Sequence, residues 1–149
     1  DLNEKSARKL DRHTALIEMF YGHHVGTHSG GKLYKKEILL QHPYPEGMIY
    51  EDLAVAYEHI AACEEIAVSD LNLYKYYRRP GSIVNSSYSD RLLDFYKAME
   101  WNRAYVERDY PDDPEMKMAC MWSTLCWVLI CMIRLTKFAK SIVAIGKIF

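Results

Sequence analysis

Acidic residues are absent from the end of this chain. After Glu115 there is no Asp or Glu, only Lys117, Arg134, Lys137, Lys140 and Lys147. Because the whole sequence has a formal net charge of -1, the part up to Glu115 carries -6. That split excludes one broad basic surface of the kind that grips duplex nucleic acid, so no nucleic-acid partner is expected, and it suggests two faces with different partners. The acidic part is expected to meet small molecules. A C-x-x-C pair is also missing. The four cysteines, Cys63, Cys120, Cys126 and Cys131, read as reduced packing residues of a cytoplasmic protein. "DLNEKSARKL" has neither an initial Met nor a charged-then-apolar leader, so no signal peptide is expected and the stretch reads as the middle of a longer protein. There is no repeat and no low-complexity tract.

What is present is one domain's worth of chain, 149 residues, half of them apolar, with ample material for a core. Leu10, Ile17 and Tyr21 fall at helical spacing and Gly22 stops the pattern, which predicts an amphipathic helix from about Lys5 to Tyr21. Gly26, Gly30 and Gly31 predict a loop, and "KLYKKEILLQ" a short helix ended by the turn that Pro43, Pro45 and Gly47 impose. A helix from about Glu51 to Cys63 follows, with Leu53, Ala56 or Tyr57, and Ile60 on one face and an acidic first turn. "IAVSDLNLYKYYRR" predicts two short strands or one bent strand, Ile66–Val68 and Leu71–Tyr77, and "RPGSIVNSS" a loop. A third helix is expected from about Asp90 to Arg108, apolar at Leu92, Tyr96 and Met99. After the break at "YPDDPE", Asp112 or Asp113 can cap a long last helix that begins at Pro114.

Four features carry candidate chemistry. His23, His24 and His28 offer neutral imidazoles that can bind zinc, but the spacing is not that of a helical metal pair, and the alternative is a set of polar loop histidines. The run Met118–Ile133 has sixteen residues, short of the ~20 that cross a bilayer. With Trp122, Trp127 and the following "RLTKFAK", it reads either as a core or partner-facing helix or as a peripheral membrane contact through 118–140. Glu51 and Asp52 are adjacent carboxylates at a helix start, where unpaired N–H groups would hold them ionised, and an ionised carboxylate there can act as a general base toward a hydroxyl. An acidic helix start also serves stability alone. Arg78, Arg79 and Ser82 in "YYRRPGSIVNS" supply the guanidinium forks, hydroxyl and close-approaching backbone that a diphosphate site uses, or else form a solvated surface turn.

Taken in order, "GGKLYKKEIL", "PYPEGMIYEDL" and "NLYKYYRRPGSIVNS" resemble the second half of the catalytic domain of family 2 glycosyltransferases, over roughly Thr14 to Tyr88. The resemblance implies a mixed α/β, helix-rich chain forming the C-terminal portion of a GT-A fold, with an acceptor-side half at 1–88 and a helical segment at 89–149. It implies an inverting transfer from a nucleotide-diphosphate sugar, most commonly a UDP-sugar, to a hydroxyl of a saccharide or lipid-linked acceptor. Asp52 would be the base with Glu51 beside it, Lys32, Leu33 and Tyr34 would lie beneath the site, and Arg78, Arg79 and Ser82 would close over the donor diphosphate. A divalent metal, Mg or Mn, bound mainly by the family's nucleotide-binding first half, is implied as the partner of the leaving group. The family's nucleotide-binding first half, with its D-x-D motif, is absent, and the paired aspartates of "DYPDDP" lie on the wrong side of the E-D pair. These residues alone are therefore expected to be inactive. The expected location is the cytoplasm, at the inner face of a membrane, and a non-catalytic protein- or membrane-interaction module is the rival reading.

Overall fold

A computed structural model of the chain describes residues 7–71, 73–77 and 90–145; for Asp90, Leu92 and 134–145 only the backbone path is described. The chain is mixed α/β and rich in helix. Strand β1 (Ala7–Asp11) leads into α1 (Arg12–Tyr21), α2 (Lys36–Gln41), α3 (Glu51–Ala61) and β2 (Glu65–Ser69). A 3-10 turn at Asp90–Leu93 then opens α4 (Asp94–Asp109), and α5 runs from Pro114 to Ile145.

The first helix is shorter than its periodicity predicts. Residues Ala7–Asp11 pair antiparallel with β2, Leu10 opposite Ile66, and only from Arg12 does the chain turn helical. Asp11 makes the change of conformation abrupt, because its carboxylate accepts from the Thr14 N–H at 2.9 Å and caps the helix. At the other end Gly22 takes the left-handed conformation (φ 68°) and the N–H groups of Gly22 and His23 return to Met19 and Glu18, as a glycine stop does. The buried residues are Ala15, Leu16, Met19 and Phe20, with Ile17 and Tyr21 only half-buried, so the core face is turned by about one residue from the one expected.

The helix α3 begins at Glu51 as expected and sets Leu53, Ala56, Tyr57 and Ile60 into the interior. It packs against both α1 and α4. One core cluster joins Leu16, Met19 and Phe20 of α1 to Tyr57, Val106 and Met116, and a second joins Leu53, Ala54 and Val55 to Phe95, Ala98 and Cys131. In α4 the buried positions are Phe95, Ala98, Met99, Asn102 and Val106, while Tyr96 faces outward; the expected phase, with Tyr96 inside, is one residue off. Two buried polar contacts lock the pair: Asn102 Nδ2 donates to the Leu53 carbonyl at 3.2 Å, and the Tyr57 hydroxyl donates to Asp109 at 3.0 Å. Asp113 caps α5 by accepting from the Met116 N–H at 3.0 Å, and the same carboxylate group meets His13 Nε2 at 2.6 Å, tying the start of α5 to α1.

Only the first of the two expected strands forms. Leu71 and 73–77 are irregular and exposed, since among the described residues no further strand lies beside them to take up their backbone groups. Tyr74 nevertheless crosses the glycine loop so closely that a Cβ on Gly30 would meet its ring at 2.5 Å. A side chain on Gly30 would therefore have to push the exposed Tyr74 ring aside.

The energetic weight of the core is testable by truncation. Leu16→Ala, at a position with no solvent exposure, should lower the unfolding free energy by about 2–5 kcal/mol in urea titration. Leu40→Ala, 70% exposed, should change it by less than about 0.5 kcal/mol.

Candidate functional site

The segment between α2 and α3 is held from behind by the C-terminal helices. Arg91 donates to the Gly47 carbonyl at 3.2 Å, and the Ile49 N–H donates to the Asp94 carboxylate at 3.2 Å. Tyr50 then adopts a left-handed conformation (φ 67°, ψ 31°), the only non-glycine residue with positive φ among those described. For a bulky residue this costs about 1–2 kcal/mol. Its ring is gripped edge-on by Trp127 of α5 and Phe95 of α4, with centroids at 5.4 and 6.5 Å. The aromatic contacts hold the backbone in a conformation it would otherwise leave, and so fix the direction in which α3 starts.

Glu51 and Asp52 occupy the first turn that emerges from this knot. Asp52 is half-buried, and burial pushes its carboxyl above the usual aspartate range, with the Glu51 charge adding to the effect. The Leu53 N–H, donating at 2.8 Å, acts in the opposite direction, and so do Lys32 and His28. The expected holding of Asp52 in its ionised form by the helix N–H groups is therefore present but outweighed by desolvation.

Around Asp52 the fold gathers residues from the preceding loop. Lys32 is half-buried, donates to the His28 carbonyl, and has its ammonium group pushed below the usual lysine range, chiefly by desolvation; the Asp52 charge acts against this. His28 is likewise lowered by burial and by Lys32. Tyr34 and Tyr44 stand close to one another, and burial raises both phenols, so they remain protonated donors across the neutral range. Beneath them His59, 1% exposed, sets its ring 5.0 Å from that of Tyr34 and 5.3 Å from that of Tyr44, and donates from Nε2 to the His42 carbonyl at 2.7 Å.

Of the residues singled out in the sequence, Asp52, Glu51, Lys32 and Tyr34 thus come together, while Leu33 points fully into solvent. Arg78, Arg79 and Ser82 lie outside the described residues. Tyr44 and His59 are members that no sequence reading names, and His28, read from the sequence as a loop histidine near the acceptor side, stands beside Asp52. The E-D motif gives no hint of His28, but Tyr44 sits between the two prolines of the turn, and His59 follows Asp52 by two helical turns on a buried face.

The three histidines proposed as a zinc set border one groove, yet each has its own partner. His23 stacks on Tyr21 at 5.7 Å, His24 lies 3.4 Å from Glu18, and His28 belongs with Lys32 and Asp52. Among the described residues no group of three or more His, Cys, Asp or Glu side chains could hold a metal ion. Near Asp52 the neighbouring ammonium of Lys32 already supplies a positive charge, which disfavours a dication at the same place. The resemblance places the Mg or Mn mainly on the family's nucleotide-binding half and not on the residues gathered around Asp52.

A groove of about 390 Å³ runs beside the site between α1, the loop after Gly22 and α5, with Phe20, His24, His28, Trp122, Trp127 and Ile130 among its walls. A larger cleft, about 460 Å³, lies elsewhere, between Arg12, Tyr57, Glu58, Arg108 and Asp109. Its charges are already spent on one another, Arg108 donating to both oxygens of Asp109 at 2.6 and 2.8 Å.

No family model, no curated protein and no solved structure matches this chain.

The knot at Tyr50 sets strain against packing. Tyr50→Gly removes the left-handed strain but also the ring between Phe95 and Trp127, and the loss of aromatic burial should win, so that the melting temperature falls. A rise on thermal denaturation would show that the strain outweighs the packing.

Proposed function

We propose that these residues form the acceptor-side portion of an inverting glycosyltransferase of family 2, in which Asp52 is the general base. The observation that carries the reading is the convergence of Asp52 with Lys32 and Tyr34, residues of two separate motifs of the resemblance, around one half-buried carboxylate. In the proposed reaction the Asp52 carboxylate takes the proton of an acceptor hydroxyl as its oxygen attacks the anomeric carbon of a nucleotide-diphosphate sugar. The bond from that carbon to the diphosphate oxygen breaks, the nucleotide diphosphate leaves with the electron pair, and the configuration inverts. A carboxyl raised by burial suits this work, because its basicity toward an alcohol exceeds that of a solvated aspartate. Lys32 limits the rise and keeps the ionised form accessible. The Tyr34 and Tyr44 hydroxyls are placed to orient a polyhydroxylated acceptor. The donor diphosphate would be held by Arg78, Arg79 and Ser82, and the metal mainly by the nucleotide-binding half of the family's catalytic domain.

A second reading, a non-catalytic interaction module, is favoured by one observation, the exposed apolar side of α5. Asp52→Asn separates the two in the longest chain that carries these residues, assayed with Mn and a panel of UDP-sugars. The enzyme reading expects turnover to fall by about 10²–10⁴-fold with donor affinity retained in calorimetry. Unchanged turnover removes Asp52 as base.

The pH dependence gives an independent check. Since the folded pKa of Asp52 lies above its unfolded value, the stability it contributes is full below the ordinary aspartate range and is lost as the pH rises through the folded value. Asp52→Asn should therefore not lower the melting temperature at neutral pH. Turnover should rise with pH along an acid limb set by the raised carboxyl, and Lys32→Met, which removes the opposing cation, should move that limb to higher pH. A limb that stays in place would show that another group sets it.

A further inference from the structure

The groove between α1, the loop after Gly22 and α5 has a polar group set deep in it. Ser123 of α5 lines it at only 7% exposure, and its hydroxyl has no hydrogen-bond partner among the described residues. The adjacent Thr124 shows the usual solution inside a helix, its hydroxyl donating back to the Cys120 carbonyl at 3.0 Å. A hydroxyl at that depth costs free energy unless something answers it. Unlike Asn102 Oδ1, it is not sealed from solvent, and the space in front of it is the groove. Trp122, half-exposed, stands next to it, and His23, His24 and His28 border the groove from the loop. Gly26 lets His28 fold back there, since a Cβ on Gly26 would meet its ring at 2.6 Å.

The lining selects the chemistry of the occupant. Among the described residues that form it there is no Lys, Arg, Asp or Glu, so a phosphate, carboxylate or ammonium group would lose water there without a fixed counter-charge. A hydrocarbon chain would leave Ser123 and the imidazoles unanswered. An uncharged molecule with C–H faces for the indole and hydroxyls around its rim satisfies both, and that is a saccharide ring. At about 390 Å³ the groove falls within the roughly 300–1,000 Å³ of small-molecule sites. It is also continuous with the carboxylate site. His28 belongs to its wall and to the surroundings of Asp52, and Trp127, a second wall residue, packs on Tyr50 two positions before Asp52.

We propose that this groove is a subsite for an uncharged saccharide, whose ring stacks on Trp122 while its hydroxyls meet Ser123 and the imidazoles of His24 and His28. That the bound saccharide is the acceptor rests on the reading of Asp52 as base; that the groove binds a saccharide does not.

The test is a saturation-transfer NMR titration of the full chain with cellotriose, maltotriose and N-acetylated chitotriose, and with trigalacturonate as a charged control. At least one neutral trisaccharide should bind, and more tightly than trigalacturonate. Ser123→Ala gives up no hydrogen bond within the described residues, so the melting curve should hold while binding weakens by about three- to tenfold. Trp122→Ala should weaken it by roughly tenfold or more. The proposal is overturned if no neutral trisaccharide binds, if trigalacturonate binds as well as the best of them, or if both variants bind like the wild type. The two readings fail separately: binding intact with turnover indifferent to Asp52→Asn removes the base and leaves the groove, and turnover lost in Asp52→Asn with no saccharide bound does the reverse.

Discussion

Burial of α3 is the constraint on which the rest of the molecule depends. Of its eleven residues, Leu53, Ala54, Val55, Ala56, Tyr57, His59 and Ile60 are buried, and a helix enclosed to that degree needs neighbours on nearly every side. α1 supplies one side, α4 a second, and the segment with Tyr34 and Tyr44 closes over His59. Most polar groups carried inside are answered there, the buried Asn102 Oδ1 being the exception among the described residues. His59 reaches the His42 carbonyl, Tyr57 reaches Asp109, and Asn102 crosses from α4 to the Leu53 carbonyl. An unanswered group in such a place costs about 1–3 kcal/mol, so these bonds fix how the neighbouring helices sit on α3.

The candidate site follows from the same enclosure. Asp52 lies where α3 leaves the interior, near enough to the core to be desolvated and near enough to the surface to be reached. Its environment opposes itself: burial and Glu51 favour the neutral carboxyl, while Lys32, His28 and the Leu53 N–H favour the charged one. A solvated capping aspartate would feel mainly the second set. The residue before the pair, Tyr50, stores strain that the rings of α4 and α5 help to hold, which makes the C-terminal helices part of the support of a site built from the first half of the chain.

A different balance governs α5. Its inner side is as necessary to the core as α3, and its outer side is apolar without a partner among the described residues. The two sides explain why a single apolar run is open to two readings: core packing and a surface for another phase need the same residue types, and a helix 32 residues long has room for both on opposite faces.

Local chemistry makes several elements legible. The turn of Pro43, Pro45 and Gly47, the stop at Gly22, the cap at Asp113 and the starts of α3 and α5 at Glu51 and Pro114 all act within a few residues, and each stands where its local signal places it. The carboxylate pair and the K-L-Y segment can likewise be named from their order. Residues Ala7–Asp11 cannot, because a strand so short exists only through its pairing with Glu65–Ser69, more than fifty positions away. The inward turn of Phe95 in place of Tyr96, and the different partners of His23, His24 and His28, are hidden for the same reason. By itself the sequence determined the starts of α3 and α5, the stop at Gly22, the charge split, and the candidate base. Tertiary structure alone decided which side of each helix is buried, that Lys32 and His28 stand beside Asp52, and that its carboxyl is raised and not lowered. Those properties depend on what lies across a few ångströms of space, and desolvation has no value until the whole chain has closed around the group.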